Sequence, residues 1–422
     1  MKIGLCRKCI STDMKINLAG FGNPNRKFTG VHDDIYATAV VFEENGSKAC
    51  IVTADVLGFD RDMLKYIRAF VEERTGIPGN AILFNASHTH SAPQVLIGCN
   101  PEIGGYVAEY AHFFYDTVLD TVIKADKDLE DCILSRGEVE CYGIGVNRRR
   151  IENGVYHFAA FEEGLRNDEV SVIKASVGDR VKAVLFSFTC HPSTTGFDEI
   201  SADYPGAARR AIEESVPGAV AVFIQGCCGN IRVRTVAPKG FGFRGGTYED
   251  VAMFGNMLAD KVISVLSGEM APLKGSISHN MSTFNVPLAD KSSKEEYEAL
   301  RDETNVQYLK YTFNYFIENY DALPLTMIYS VQRIDLGDNY SFVALEGEVC
   351  VEYDFHMKKL LPHRHVVTAG YSNGSPGYIC TSDMYSYGGY EPNDSARCYL
   401  LPNGFDPTIE QVILEHAKEI MK

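Results

Sequence analysis

Apolar and polar positions along this chain follow two rhythms. Tyr36 to Glu43 and Ser47 to Val56 are β-rich runs joined by Glu44-Asn45-Gly46, a hairpin signal. Asp60 to Thr75 changes to helical spacing, with Met63, Ile67, Phe70 and Val71 apolar, and stops at Gly76 with Pro78 beyond. Ala81 to Phe84 is a short apolar run that reads as a buried strand. Tyr106 to Leu129 predicts a long amphipathic helix, and His157 to Glu162, Val170 to Val177 and Val181 to Thr189 predict strands. Ser201-Ala-Asp203-Tyr-Pro205 marks a helix start, with Asp203 as cap and Pro205 in the first turn, and Ala219 to Gln225 makes another buried strand. Helices at Tyr248 to Leu266, Ser293 to Tyr320 and Val349 to Leu361, strands at Thr326 to Leu336 and Tyr340 to Leu345, and a terminal helix from about Pro407 complete the pattern. Hairpins mixed with helical crossovers predict an α/β to α+β fold of mixed β-sheets packed with helices. No linker, low-complexity tract or repeat divides the chain, so residues 1–422 are expected to form a single domain.

At 422 residues the chain can bury a large core. Its formal net charge of −16 argues against a general nucleic-acid binder and against a surface drawn to anionic lipid. The segment from Met1 to Cys9 has no apolar signal-peptide core, and no run approaches the length of a membrane span. The expectation is a cytoplasmic protein acting on a small molecule, with no nucleic-acid partner and an open oligomeric state. Twelve cysteines without a repeated spacing read as buried free thiols. Cys6-x-x-Cys9 has zinc-knuckle spacing but lacks a second pair, and is read as incidental.

The chemistry concentrates where apolar strands run out. Asn85-Ala-Ser-His88-Thr-His90-Ser-Ala-Pro93 follows the Ala81 to Phe84 run. Residues i and i+2 of a strand share a face, so His88 and His90 would stand side by side, one holding a metal and the other touching what the metal binds. An isolated pair of this kind reads more readily as a hydrogen-bonded turn. His191 ends the strand Val184 to Cys190, Glu348 lies in Leu345-Glu-Gly-Glu348, and Tyr378 lies in Gly377-Tyr378-Ile-Cys-Thr381. Each alone has an ordinary structural reading, as a strand end, a helix-start carboxylate or a core aromatic.

Taken in order, these residues resemble the neutral/alkaline non-lysosomal ceramidase family, whose zinc is held by two histidines, a glutamate and a tyrosine. The family's THTHSGP motif looks like Ser87-His88-Thr-His90-Ser-Ala-Pro93. The resemblance implies one Zn2+ per chain, with His88, His191, Glu348 and Tyr378 as ligands and His90 beside them. The family's Tyr-x-Thr-Thr segment followed by Tyr-Glu resembles Tyr378 to Thr381 running on to Tyr390-Glu391, and its pocket Asn-Arg matches Asn147-Arg148. The resemblance covers nearly the whole chain and implies the family's catalytic-domain fold without its C-terminal immunoglobulin-like domain.

One departure bears on the substrate. Ceramidases carry Gly-Asp-Val-Ser-Pro-Asn after a buried strand, whereas here Phe223-Ile-Gln-Gly226 leads into Cys227-Cys228-Gly229-Asn230-Ile231-Arg232-Val233-Arg234, and the serine is matched to Arg232. A site of this kind hydrolyses amides or esters through a metal-activated water. His90 is the candidate for proton transfer, and Tyr390 and Arg148 are candidate oxyanion or substrate donors. Asn147, Arg232 and Arg234 are expected to bind substrate, and the basic loop favours a polar or anionic amide over ceramide. An esterase on the same site and a noncatalytic metal-binding protein are the alternatives; a thiol hydrolase using Cys227 or Cys228 ranks behind them.

Overall fold

The computed structural model describes residues 1–21, 26 and 28–422. Three of its sheets repeat one unit: a hairpin, a helix, and a third strand lying parallel to the hairpin's second strand. In the first unit Tyr36–Glu44 and Ser47–Ala54 turn through Asn45 and Gly46, both at positive φ (51° and 83°), the backbone a two-residue hairpin turn requires. Helix Arg61–Thr75 follows, and strand Ile82–Ala86 pairs parallel to Ser47–Ala54. The second unit runs Glu169–Val177, Arg180–Phe188, helix Asp203–Ser215 and Val220–Gln225. The third runs Thr326–Leu336, Tyr340–Leu345, helix Glu352–Leu360 and His365–Ala369. Strands Lys2–Cys9, Ile133–Glu140 and Ile277–Pro287 extend the three sheets on their antiparallel sides. None of the three is marked by a clear apolar run, which is why the sequence pattern misses them.

The parallel edges converge, and a buried amide joins them. Asn85 accepts from Gln225 N at 2.8 Å and donates through Nδ2 to Gly370 O at 2.7 Å. Period-two alternation divides the third sheet between two cores: Phe342 and Ala344 pack with the first two sheets, Val343 and Leu345 with the terminal helix Ile409–Ile420. The mixed α/β architecture expected from the sequence is the one observed.

Several local expectations are revised. The helical face of Arg61–Thr75 buries Leu64, Ile67 and Val71, while Phe70 is 49% exposed. The single helix expected from Ser293 to Tyr320 is two, Lys294–Glu303 and Gln307–Glu318. Thr304 between them is extended, and its hydroxyl accepts from Val306 N at 3.2 Å, a local bond that competes with helix propagation. Asp203 is the first helical residue rather than the cap; its carboxylate turns back to Thr194 N at 2.9 Å and ties down the loop after His191. The helix expected from Val349 begins at Glu352, because Glu348–Val349 is a short strand parallel to Tyr378–Ile379.

That two-stranded pairing needs Gly347. Its φ is +81°, and a Cβ there would lie 2.4 Å from Gly377 O. Gly347→Ala is expected to lower the unfolding free energy by about 1–3 kcal/mol, measured by urea denaturation. An unchanged midpoint would show that the segment absorbs the added methyl group.

Candidate metal centre

The two histidines of the first motif are brought together by a turn, not by strand alternation. The strand stops at Ala86, and His88 adopts left-handed backbone (φ 64°) with its N–H on Val56 O at 3.0 Å. The rings of His88 and His90 then lie 4.9 Å apart and nearly perpendicular. Buried Arg26 fixes the loop from behind, donating from Nη1 to His90 O at 2.5 Å and Ala19 O at 3.1 Å. His191, at the end of the second unit's hairpin, sits 4.9 Å from His88 and 5.6 Å from His90 by ring centroids.

The protons of this cluster can be counted. His88 Nδ1 is 2.6 Å from Leu57 O and His191 Nδ1 is 2.7 Å from Cys228 O. A carbonyl oxygen only accepts, so both Nδ1 atoms carry a proton, and in the neutral imidazole Nε2 then presents a lone pair. Those lone pairs face Glu348 Oε2, at 3.2 Å from His88 and 3.1 Å from His191. Burial holds His90 well below the ordinary imidazole range. Burial, followed by the charge of Arg148, holds His191 at about 4. Burial acts to raise the Glu348 carboxyl, and positive charge at the imidazoles beside it acts to lower it.

Potential ligand atoms of the imidazoles and of Glu348 therefore converge on one buried point. Ligand nitrogens of His88, His90 and His191 lie within 4.8 Å of one another, and among the described residues neither nitrogen of His90 has a hydrogen-bond partner. Such a donor set fits a divalent cation, and the three buried histidines can bind one.

Tyr378 stands opposite Glu348 in the parallel register, and its hydroxyl accepts from Arg148 Nη2 at 3.0 Å. Arg148 is buried, with Nε on Glu391 Oε1 at 2.8 Å, while Arg149 holds the other carboxylate oxygen at 2.6 Å. The guanidinium expected to donate to substrate thus reaches the site through Tyr378. Tyr390 packs edge-on to Tyr378 at 5.5 Å and, with His88, His90, Glu348 and Tyr399, walls a cavity of about 50 Å³.

Three expected substrate contacts change. Asn147 faces the backbone instead, donating to Leu165 O at 2.8 Å and accepting from Arg149 N at 2.9 Å. Arg234 forms a surface pair with Glu162. Arg232 is not at the family's serine position: counted from Gly226, Gly-Asp-Val-Ser ends on Gly229. A side chain is excluded there, since a Cβ on Gly229 would meet Glu348 O at 2.5 Å. Arg232 nevertheless lies beside the site, backbone-bridged to His191 and stacked on Phe243 at 4.8 Å. Among the described residues it pairs with no carboxylate; burial, then the charge of Arg148, lowers its pKa to about 10.

Burial pushes the thiols of Cys227 and Cys228 up, which leaves them protonated and poor nucleophiles. Cys6 and Cys9 lie three apart on one strand and so point to opposite faces. The sequence reading missed Arg26, Glu391 as an ion-pair partner, and Tyr399, whose hydroxyl donates to Glu348 Oε1. Glu391 carried a signal in its place after Tyr390; Arg26 and Tyr399 carried none. Among the described residues no helix is long and apolar enough to cross a membrane.

Removing Glu391 would strand two buried guanidinium groups. Glu391→Ala is expected to cost about 3–5 kcal/mol in chemical denaturation, and a loss under about 1 kcal/mol, the surface-pair range, would contradict the pairing.

The family model described as neutral/alkaline non-lysosomal ceramidase, N-terminal, matches residues 2–237. No curated protein matches the chain. Among solved structures, the neutral ceramidase from Pseudomonas aeruginosa aligns with a TM-score of 0.79 at 18% identity, over 100% of this chain and 74% of that one. A ceramidase complexed with C2 aligns with a TM-score of 0.79 at 17% identity and the same coverage, 100% and 74%. At such identities the structural likeness concerns the fold.

Proposed function

The chain belongs to the neutral/alkaline non-lysosomal ceramidase family, and we propose that it is a zinc-dependent hydrolase of a linear amide whose substrate is polar or anionic. The observation that carries this reading is the convergence of the His88 and His191 Nε2 atoms on Glu348 Oε2, with His90 beside them and without a hydrogen-bond partner among the described residues. We read residues 1–422 as one catalytic domain, because the site draws on residues from 88 to 399 and on all three strand–helix–strand units.

In this reading His88, His191, Glu348 and Tyr378 hold the ion. Bound there, zinc would supply Lewis acidity, lowering the pKa of a water to about 7. The tethering of His88 and His191 through Nδ1 to backbone carbonyls is the usual orientation of metal-binding imidazoles. His90 lacks such a tether, is neutral, and lies within reach of the same point, which suits it to take a proton from the attacking water and return it to the leaving amine. Tyr390, on the cavity wall, donates to the substrate carbonyl as charge develops on its oxygen. Arg148 holds the Tyr378 hydroxyl in place and is itself held by Glu391. The cavity of about 50 Å³ has room for a water and a carbonyl group, so the rest of the substrate lies outward. Arg232, without a carboxylate partner among the described residues and flanked by aromatic rings, offers an anionic substituent a rigid fork of donors.

Elemental analysis of the purified protein should find one divalent metal per chain, and His88→Ala and His191→Ala should each lose it. His90→Ala should keep the metal and lose about 100-fold or more in turnover. A His90→Ala protein emptied of metal would make His90 a ligand and overturn this division of roles.

The substrate reading is tested by a hydrolysis screen of N-acyl amino acids, short neutral amides and long-chain ceramides. Anionic amides should be preferred, and Arg232→Met should weaken them selectively, raising KM by about 10- to 100-fold while leaving neutral amides unchanged. Efficient ceramide cleavage, or equal effects of Arg232→Met on charged and neutral substrates, would rule out the assignment.

A further inference from the structure

Glu348 has two oxygens, and only one faces the imidazoles. Oε2 lies 3.2 Å and 3.1 Å from the Nε2 atoms of His88 and His191, whereas Oε1 receives the Tyr399 hydroxyl. We propose that Tyr399 is a positioning residue for this carboxylate, fixing its rotation so that Oε2 alone is presented to the metal. The inference rests on the metal reading given above.

The two tyrosines around Glu348 are held differently. Tyr378 Oη accepts a hydrogen bond from Arg148, which ties its oxygen to that guanidinium. Tyr399 Oη donates to the carboxylate, so its proton is the functional feature. Without that donor, the side chain of Glu348 would be free to turn both oxygens toward the cation or to swing away from it, and a carboxylate that is not oriented binds a metal less tightly.

The chain holds Tyr399 rigidly for this purpose. It ends the 3-10 segment Asp394–Tyr399, and Leu400 after it takes a left-handed conformation with φ 52°. Cys398 O accepts from Asn100 N at 3.0 Å, and Arg397 O accepts from the Thr312 hydroxyl at 3.0 Å, anchoring the two preceding residues to separate parts of the chain. The phenol ring also forms the wall between the metal-site cavity and an adjoining cleft lined by Phe59, Leu96 and Met327. Phenylalanine keeps that wall and removes only the donor.

The test is zinc affinity, measured by competition with a chromogenic chelator on the full chain. Tyr399→Phe should bind zinc about 10- to 100-fold more weakly than the parent, with the circular dichroism spectrum of the metal-free protein retained. In a Glu348→Gln background the same substitution should change affinity by less than about twofold, because coupled residues are not additive. Parental affinity in Tyr399→Phe, or a full loss that persists with Glu348→Gln, overturns the inference alone. A parent protein that takes up no zinc overturns the metal reading and this inference together.

Discussion

A carboxylate sealed inside a protein must be compensated, and the compensation of Glu348 organises everything around it. Isolated burial of an ionised carboxyl costs far more than a folded domain's whole stability margin. Here one oxygen is met by the Tyr399 hydroxyl, while the other faces the Nε2 atoms of two imidazoles. The carbonyls of Leu57 and Cys228 fix the orientation of both rings through Nδ1. Protonating His191 would satisfy the carboxylate, but burial opposes it. A cation at the point of convergence compensates the carboxylate without a proton on that imidazole.

The convergence follows from topology. Each of the three hairpin–helix–strand units ends strands toward the same place, and each contributes there. The first unit gives His88 and His90 after its parallel strand, the second gives His191 after its hairpin, and the third gives Glu348 after its hairpin and Tyr378 beyond its parallel strand. Asn85, bonded to Gln225 and Gly370, locks the three edges together directly behind the histidines. Sites at the carboxyl ends of parallel strands are the expected outcome in open α/β sheets. Here three separate sheets share one such end.

What the sequence conveyed about this arrangement depended on range. Apolar periodicity found the hairpin at Asn45-Gly46 and most helices, because those signals are local. It placed His88, His191, Glu348 and Tyr378 at strand ends, and the structure brings them together. It could not find the Glu348–Tyr378 strand pair, since two residues of strand have no period and the pairing spans 30 positions of chain. The same limit hid Tyr399 and Arg26, whose contacts with the site come from loops. At His88 local reasoning gave the right neighbour for the wrong reason: the i+2 relation holds only while the strand continues, and the chain had already turned at positive φ. The assignment of Arg232 to the serine position failed differently, by three residues of miscounted motif, and the packing of Gly229 on Glu348 exposes it.

Charge around the site then decides what kind of ligand the remaining guanidinium favours. Arg148 and Arg149 share one buried carboxylate, which holds both in place as fixed structure. Arg232 pairs with no described acid, and its aromatic neighbours Phe158 and Phe243 restrict water on its faces. Against it stands the whole molecule's net charge of −16, which repels anions at long range. Screening settles the competition: at physiological ionic strength the Debye length is about 8 Å, so distant surface carboxylates contribute little at the pocket. A desolvated guanidinium in contact with a ligand is screened much less. The field that an approaching substrate meets is therefore weakly unfavourable far away and strongly favourable on arrival, a combination that sacrifices association rate and places selectivity in the contact with Arg232.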